Sequence, residues 1–183
     1  VQIVSAGLLF SSQMLFARLL GVESYGVYAI AFAWMQILLL AGRQGFDLAT
    51  VRFVSEYKNR SEWSLLRGYL AFSRRTVFIS SLVIAICMAL CAWIFRSQLD
   101  AEGLWTFWFA AAALPIFAFA QIHDSAIRGL GFVVRPQLFM AILHPTLLII
   151  LLSTAILLWD MEPTANIGMA IYLGATVTIL LGL

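Results

Sequence analysis

Residues 76–95 read TVFISSLVIAICMALCAWIF, twenty consecutive positions without a charge, bounded by Arg74 and Arg75 on one side and Arg96 on the other. A helix of that length rises about 30 Å, the thickness of a bilayer's hydrocarbon core. Thr76, Ser80 and Ser81 are its only hydroxyl side chains, too few to make a water-facing stripe. The stretch predicts a membrane-crossing helix, and its composition is that of the whole chain. Hydrophobic residues make up 63% of the sequence and charged residues 11%, where soluble domains carry roughly a quarter charged residues. A globule of 183 residues has too little interior to hide so much apolar surface. The expected class is an all-α integral membrane protein with membrane lipid as its surroundings. A net charge of +2 is too small to suggest nucleic acid as a partner.

Working outward from residues 76–95, five further segments meet the requirement of roughly 20 mostly apolar residues. The expected spans are 1–20, 26–44, 76–95, 104–121, 136–159 and 164–183, forming a single six-helix bundle. Gly21 to Tyr25 reads as the first connector, and the second span is expected to continue as a polar helix through Arg52. Both chain ends lie inside apolar runs, so the sequence is expected to be part of a longer polypeptide. No basic leader with a small-residue cleavage site marks the first run as a signal peptide.

Basic residues fall on one side of this plan. Arg43, Arg52, Lys58, Arg60, Arg67, Arg74 and Arg75 lie between the second and third spans, and Arg128 and Arg135 between the fourth and fifth. The opposite side holds Glu23, Asp100, Glu102, Asp160 and Glu162, with Arg18 and Arg96 as its cations. Lys and Arg are retained in the cytoplasm, which orients the chain with its N-terminus cytoplasmic. Trp93, Trp105, Phe107 and Trp108 bracket an outer connector, and Trp159 ends the fifth span, as interfacial aromatics do. Pro136 suits the first turn of the fifth helix, while Pro115 and Pro145 are expected to kink the helices they interrupt. Residues 45–75 predict a helical hairpin at the cytoplasmic face, broken at Lys58 to Ser61, with Ser61 capping the second arm.

Ionisable side chains inside a bilayer are costly and face a cavity or a partner. Arg43 with Asp47 and Asp124 with Arg128 are spaced i,i+4, which reads equally as neutralisation within one helix or as substrate and ion handling. Arg18 at the outer end of the first helix either snorkels to headgroups or lines a cavity. His144 lies about 12 Å along the fifth helix. It is either a neutral imidazole bonded to a neighbouring helix or a titrating group. Asp47, Asp124 and His144 are the ion-coupling candidates. Aromatic residues are spread over every span and read as packing and lipid contact. Ala170, Gly174 and Thr178 form a small-residue stripe that permits close helix contact. Cys87 and Cys91, one helical turn apart, suit neither a disulfide nor a metal site and read as apolar filler. Soluble catalytic signatures such as H-E-x-x-H and G-x-S-x-G do not occur, so neither an enzyme nor a cofactor is expected.

Three stretches carry a resemblance. Ala17-Arg18-Leu19-Leu20-Gly21 leads into Tyr25-Gly26-Val27-Tyr28. Arg43-Gln44-Gly45-Phe46-Asp47 is followed by Ala49, Val51-Arg52-Phe53-Val54 and Glu56-Tyr57. Ala126-Ile127-Arg128-Gly129-Leu130-Gly131 precedes Arg135-Pro136. Together, in this order, they resemble the polysaccharide (O-antigen type) flippases of the multidrug/oligosaccharidyl-lipid/polysaccharide transporter superfamily. The resemblance implies that the chain is the first of two pseudo-symmetric lobes around a cavity that opens alternately to either side. It further implies a substrate, an undecaprenyl-diphosphate-linked oligosaccharide, and partners in the polymerase and ligase machinery of surface polysaccharide synthesis. Arg18, Arg43 and Arg52 are the substrate-binding candidates, because Arg offers a forked donor set to phosphate oxygens. An ion-coupled multidrug exporter of the same superfamily and a non-transporting membrane scaffold subunit are the alternatives.

Overall fold

A computed structural model of the chain describes residues 2–132, 142–159 and 164–182. They form six helices: α1 (Gln2–Arg43), α2 (Phe46–Asn59), α3 (Trp63–Ile94), α4 (Ala101–Gly129), α5 (His144–Trp159) and α6 (Ala165–Gly182). Among the described residues, four helices are long and apolar enough to cross a membrane, and the part of α5 from His144 to Thr154 is a shorter apolar helix. The fold is therefore all-α and of multi-pass membrane type.

The first of these helices is not one rod. Forty-two residues in a straight α-helix would extend about 63 Å, twice the hydrocarbon thickness. Gly21 breaks it with φ 76° and ψ 169°, a left-handed conformation that costs glycine little and other residues much. Phe16 and Tyr28 would sit about 18 Å apart along a straight axis, yet their rings stack at 5.1 Å. The Tyr25 hydroxyl donates to Gln13 Oε1 at 3.1 Å. The chain thus folds back at Gly21 into two arms, residues 2–20 and 22–43. Sequence reading placed a five-residue connector here; the turn is concentrated in one glycine, and Glu23 to Tyr25 are already helical.

Sequence reading also carried the second helix through Arg52. Instead Gln44 (φ 49°) and Gly45 (φ 78°) are both left-handed and separate α1 from α2. The expected hairpin of residues 45–75 is present as α2 and the start of α3. Its turn places Ser61 at φ 57°, and α3 begins after Glu62 with no side-chain cap, so Ser61 makes the turn and does not cap the helix.

α4 is the central mast. Ala110, Ala111, Ala113, Leu114, Ala118, Ala120 and Ile122 are buried along it, and it packs against α1, α2, α3 and α6. Small side chains let neighbouring backbones approach closely where lipid offers no hydrophobic drive for helix association. The outward face of α3 shows the complement: Phe78, Leu82, Ile86 and Leu90, one turn apart, are all exposed, as a lipid-facing helix requires. Pro115 lies within an uninterrupted α4, whereas Pro145 follows two residues in wide π-type turns at the start of α5, a recognised cause of helix distortion. The expected start of the fifth span at Pro136, with Arg135, falls outside the described residues, as do Asp160 and Glu162.

Side-chain contacts assign the two ends of the bundle. The backbone N–H of Ala165 donates to Glu102 Oε1 at 2.5 Å, and Gly168 lies against Leu20, Phe16 and Tyr28. The Gly21 bend and the starts of α4 and α6 therefore share one end. There Trp93 stacks on Trp108 at 5.8 Å and Arg96 lies over Trp93 at 4.5 Å, an interfacial arrangement. The opposite end gathers Gln44, α2 and the end of α4. Lys58 Nζ donates to the Leu130 carbonyl at 2.6 Å, satisfying one of the carbonyls left open where a helix stops.

The stripe of Ala170, Gly174 and Thr178 does not make a close contact: nothing lies within 4 Å of a Cβ built at Gly174, and Thr178 is exposed. The buried face of α6 is instead Ala165, Gly168, Met169, Tyr172, Ala175, Thr176 and Ile179. Cys87 and Cys91 are free and exposed, bordering an apolar cleft of about 590 Å³ with Trp34, Met88 and Phe95. Among the described glycines the closest approach is at Gly129, where a Cβ would meet Val54 Cβ at 2.8 Å and the Val51 carbonyl oxygen at 3.1 Å. Gly129→Ala is expected to destabilise the α2–α4 contact by about 1–3 kcal/mol. Thermal unfolding in detergent should show a lower midpoint.

Candidate functional site

A cavity of about 540 Å³ opens among the two arms of α1, α2, α4, α5 and α6. Its wall has two zones. At the α2 end it is charged, with Arg43, Asp47, Asp124 and Arg128 beside the amide of Gln121. Deeper in the bundle it is formed by Ser12, Gln13 and Gln36 among the rings of Tyr28, Phe32, Phe117, His144 and Tyr172.

The charged zone is built on the break between α1 and α2. Arg43 ends α1, Asp47 stands in the first turn of α2, and Arg43 Nη1 donates to Asp47 Oδ2 at 2.7 Å. The same nitrogen donates to Gln121 Oε1 of α4, and Nε donates to the Leu39 carbonyl at 3.4 Å. The i,i+4 spacing reads equally as neutralisation within one helix or as substrate and ion handling; the pair closes over a bend and is joined by a third helix. Asp124 and Arg128 do pair within α4, at 2.7 Å, and Arg128 Nη2 also reaches Ser125 Oγ at 3.2 Å. The two pairs line the same zone of the cavity, so its two carboxylates and two guanidinium groups balance in charge. Asp47 Oδ1 is buried and has no hydrogen-bond partner among the described residues.

In the deep zone the aromatic residues are not scattered. Phe16, Tyr28, Phe32, Tyr172 and Phe117 run ring to ring, with successive centroids 5.1, 5.9, 5.3 and 5.9 Å apart. His144 is buried at 5.1 Å from the Tyr172 ring, with Nε2 3.4 Å from Thr176 Oγ1 on α6. This is the setting of an imidazole bonded to a neighbouring helix.

Of the substrate-binding candidates, Arg43 lines the cavity, while Arg18 and Arg52 are exposed and do not. All three ion-coupling candidates, Asp47, Asp124 and His144, reach the wall. Gln121, Gln13 and Gln36 were not singled out from the sequence. Each is an uncharged amide within an apolar segment, a polar cost in lipid that could have marked it. Among the described residues, no group of three or more His, Cys, Asp or Glu is placed to hold a metal ion.

A multi-pass helical bundle that buries a charged and amide-lined cavity is the architecture of a membrane transporter. The chain belongs to the polysaccharide biosynthesis protein family, whose sequence profile matches residues 1–183. The members of that family are transporters and not enzymes, so the chain serves polysaccharide-related membrane transport. No curated protein and no solved structure matches it.

If water fills the charged zone, a polar thiol reagent will reach it. With Cys87 and Cys91 changed to Ser, Gln121→Cys should react with a membrane-impermeant maleimide in detergent. Leu114→Cys, at a fully buried position of the same helix, should stay unlabelled in folded protein. Equal labelling at the two positions would contradict the cavity.

Proposed function

We propose that this chain forms one six-span lobe of a transporter that flips undecaprenyl-diphosphate-linked oligosaccharide across the bacterial cytoplasmic membrane by alternating access. The first arm starts in the cytoplasm. Two arms of α1 with α3, α4, α5 and α6 supply the six crossings, and α2 lies along the cytoplasmic face. The observation that carries the reading is Arg43, a forked donor held at the cavity wall in a family of polysaccharide transport. Beside it stands Arg128, so the zone offers two guanidinium groups to a diphosphate. The amide and aromatic surfaces deeper in the cavity suit the hydroxyl and C–H faces of a glycan. Asp47, Asp124 and His144 are the titratable groups through which an ion gradient would act on the cycle. Arg18 and Arg52, exposed outside the cavity, would meet lipid headgroups.

Arg43→Gln is expected to lower surface polysaccharide at least tenfold at normal protein levels in the membrane. That ratio corresponds to about 1.4 kcal/mol of lost interaction. Arg18→Gln and Arg52→Gln should change it less than twofold. Polysaccharide display unaffected by Arg43→Gln would remove the cavity from the mechanism. Orientation is checked separately. A tag inserted after Lys58 should be reached only after the cells are permeabilised, while one after Asp100 should be reached from outside.

A further inference from the structure

The junction between α1 and α2 has a second role, which rests on the diphosphate reading above. Nη1 of Arg43 serves both Asp47 and Gln121, and Nε serves Leu39; among the described residues Nη2 has no partner. Two of the three guanidinium nitrogens are thus engaged, and Arg43 lines the cavity wall. Asp47 holds Arg43 through Oδ2 alone, and its Oδ1 is buried and unpartnered among the described residues. Between them lie the left-handed Gln44 and Gly45, so the ion pair spans a bend of two residues, of which Gly45 accepts the first bond of α2 from the Ala49 N–H at 3.3 Å.

We propose that Asp47 is a resident stand-in for the substrate's phosphate: its carboxylate holds Arg43 in the empty cavity, and an arriving diphosphate displaces it and frees the α1–α2 bend. A diphosphate brings more negative charge and more acceptor oxygens than one carboxylate, and both nitrogens of the fork bind it bidentately. Displaced Asp47 is not stranded, because it sits in the first turn of a fourteen-residue helix, where the helix dipole favours an anion. Freed of its tie, α2 pivots at Gln44 and Gly45. It is packed on α4 at Gly129 and joined to α3 by Thr50 and Tyr69, whose oxygens are 3.4 Å apart. Occupancy of the cavity is thereby transmitted to the charged end of the bundle. Asp47 is a positioning residue, acting through Arg43.

Two measurements on the full-length protein in nanodiscs test this, with inorganic pyrophosphate as the probe. In titration calorimetry, Asp47→Asn should bind pyrophosphate about fivefold more tightly than wild type, the effect of removing a competing part-exposed ion pair. A merely structural Asp47 predicts equal or weaker binding, and that result overturns the proposal. For the bend, spin labels at Leu40→Cys and Asn59→Cys, with Cys87 and Cys91 changed to Ser, report its opening. Pyrophosphate should shift their distance distribution, and Asp47→Asn should shift it without ligand. An unchanged distribution in either case also overturns the proposal. Should Asp47→Asn fail to fold, Asp47→Glu replaces it: its longer carboxylate keeps the competition, so affinity should stay within twofold of wild type, and a larger change counts against the proposal. Failure of wild type to bind pyrophosphate, or binding unaffected by Arg43→Gln, sinks the diphosphate reading and this one together. Binding that depends on Arg43 but is indifferent to Asp47 sinks only this one.

Discussion

A guanidinium group within a membrane bundle must be hydrated, paired or both, because lipid offers it nothing. Arg43 meets that requirement with partners on three helices: Leu39 in its own, Asp47 across a bend, and Gln121 on α4. Much of the charged end follows from the need to bring these groups together. The left-handed pair Gln44 and Gly45 turns the chain so that Asp47 faces back toward Arg43. Gly129 lets α2 lie close enough to α4 for Gln121 and Asp124 to share the same space. A glycine at each of these points answers a specific geometric demand, a positive φ in one case and a missing Cβ in the other.

The opposite end is built on different physics. At the Gly21 bend the two arms of α1 are held by stacked rings and one hydroxyl–amide bond, and Gly168 admits α6 against them. Trp108 contacts both Trp93 and Trp105 there, as residues poised between lipid and headgroups do. One end is thus sealed by apolar packing while the other is pinned by ions. Apolar contacts between helices in lipid are worth little beyond their fit, whereas a charge cluster reacts strongly to an added anion. The charged end is therefore the more responsive of the two.

The class of the protein was legible because lipid imposes a simple rule: twenty uncharged residues, bounded by Arg75 and Arg96, have no other stable place. The arms of α1, α3 and α4 follow from it directly. What the sequence left ambiguous were features that depend on backbone torsion. Residues 26–52 keep helical spacing in their apolar side chains across the junction, so periodicity passed over the break at Gln44. Ser61 looked like a cap because serine often is one, yet Glu62 holds the cap position of α3 and Ser61 stands one residue before it, in the turn. In the site, charge drew attention to Arg43, Asp47, Asp124 and His144, and all four line the cavity. Arg18 and Arg52 carry charge as well but lie on exposed surface, where a guanidinium group needs no cavity and the snorkelling alternative for Arg18 fits. Gln13, Gln36 and Gln121 stayed invisible because an amide carries no charge to flag it, and the aromatic chain because its members come from three helices.

The two zones of the cavity differ in a way that bears on direction. Among the described residues of the wall, the cations stand in the rim near α2, whereas the deep wall is amide, hydroxyl and ring. An anionic headgroup is drawn to the rim by long-range attraction and held there by short, charge-assisted bonds. A glycan, uncharged and bearing many hydroxyl groups, gains little from guanidinium and more from the deep wall. A molecule with both parts would lie along the cavity with its diphosphate at the rim and its sugars inward. On the proposed reading the rim is where binding energy responds to charge, and the pair of Arg43 and Asp47 would set how much of the cation an incoming diphosphate has to win. A cavity with no internal counter-ion would bind phosphate more tightly and release it more slowly, and a carrier must do both.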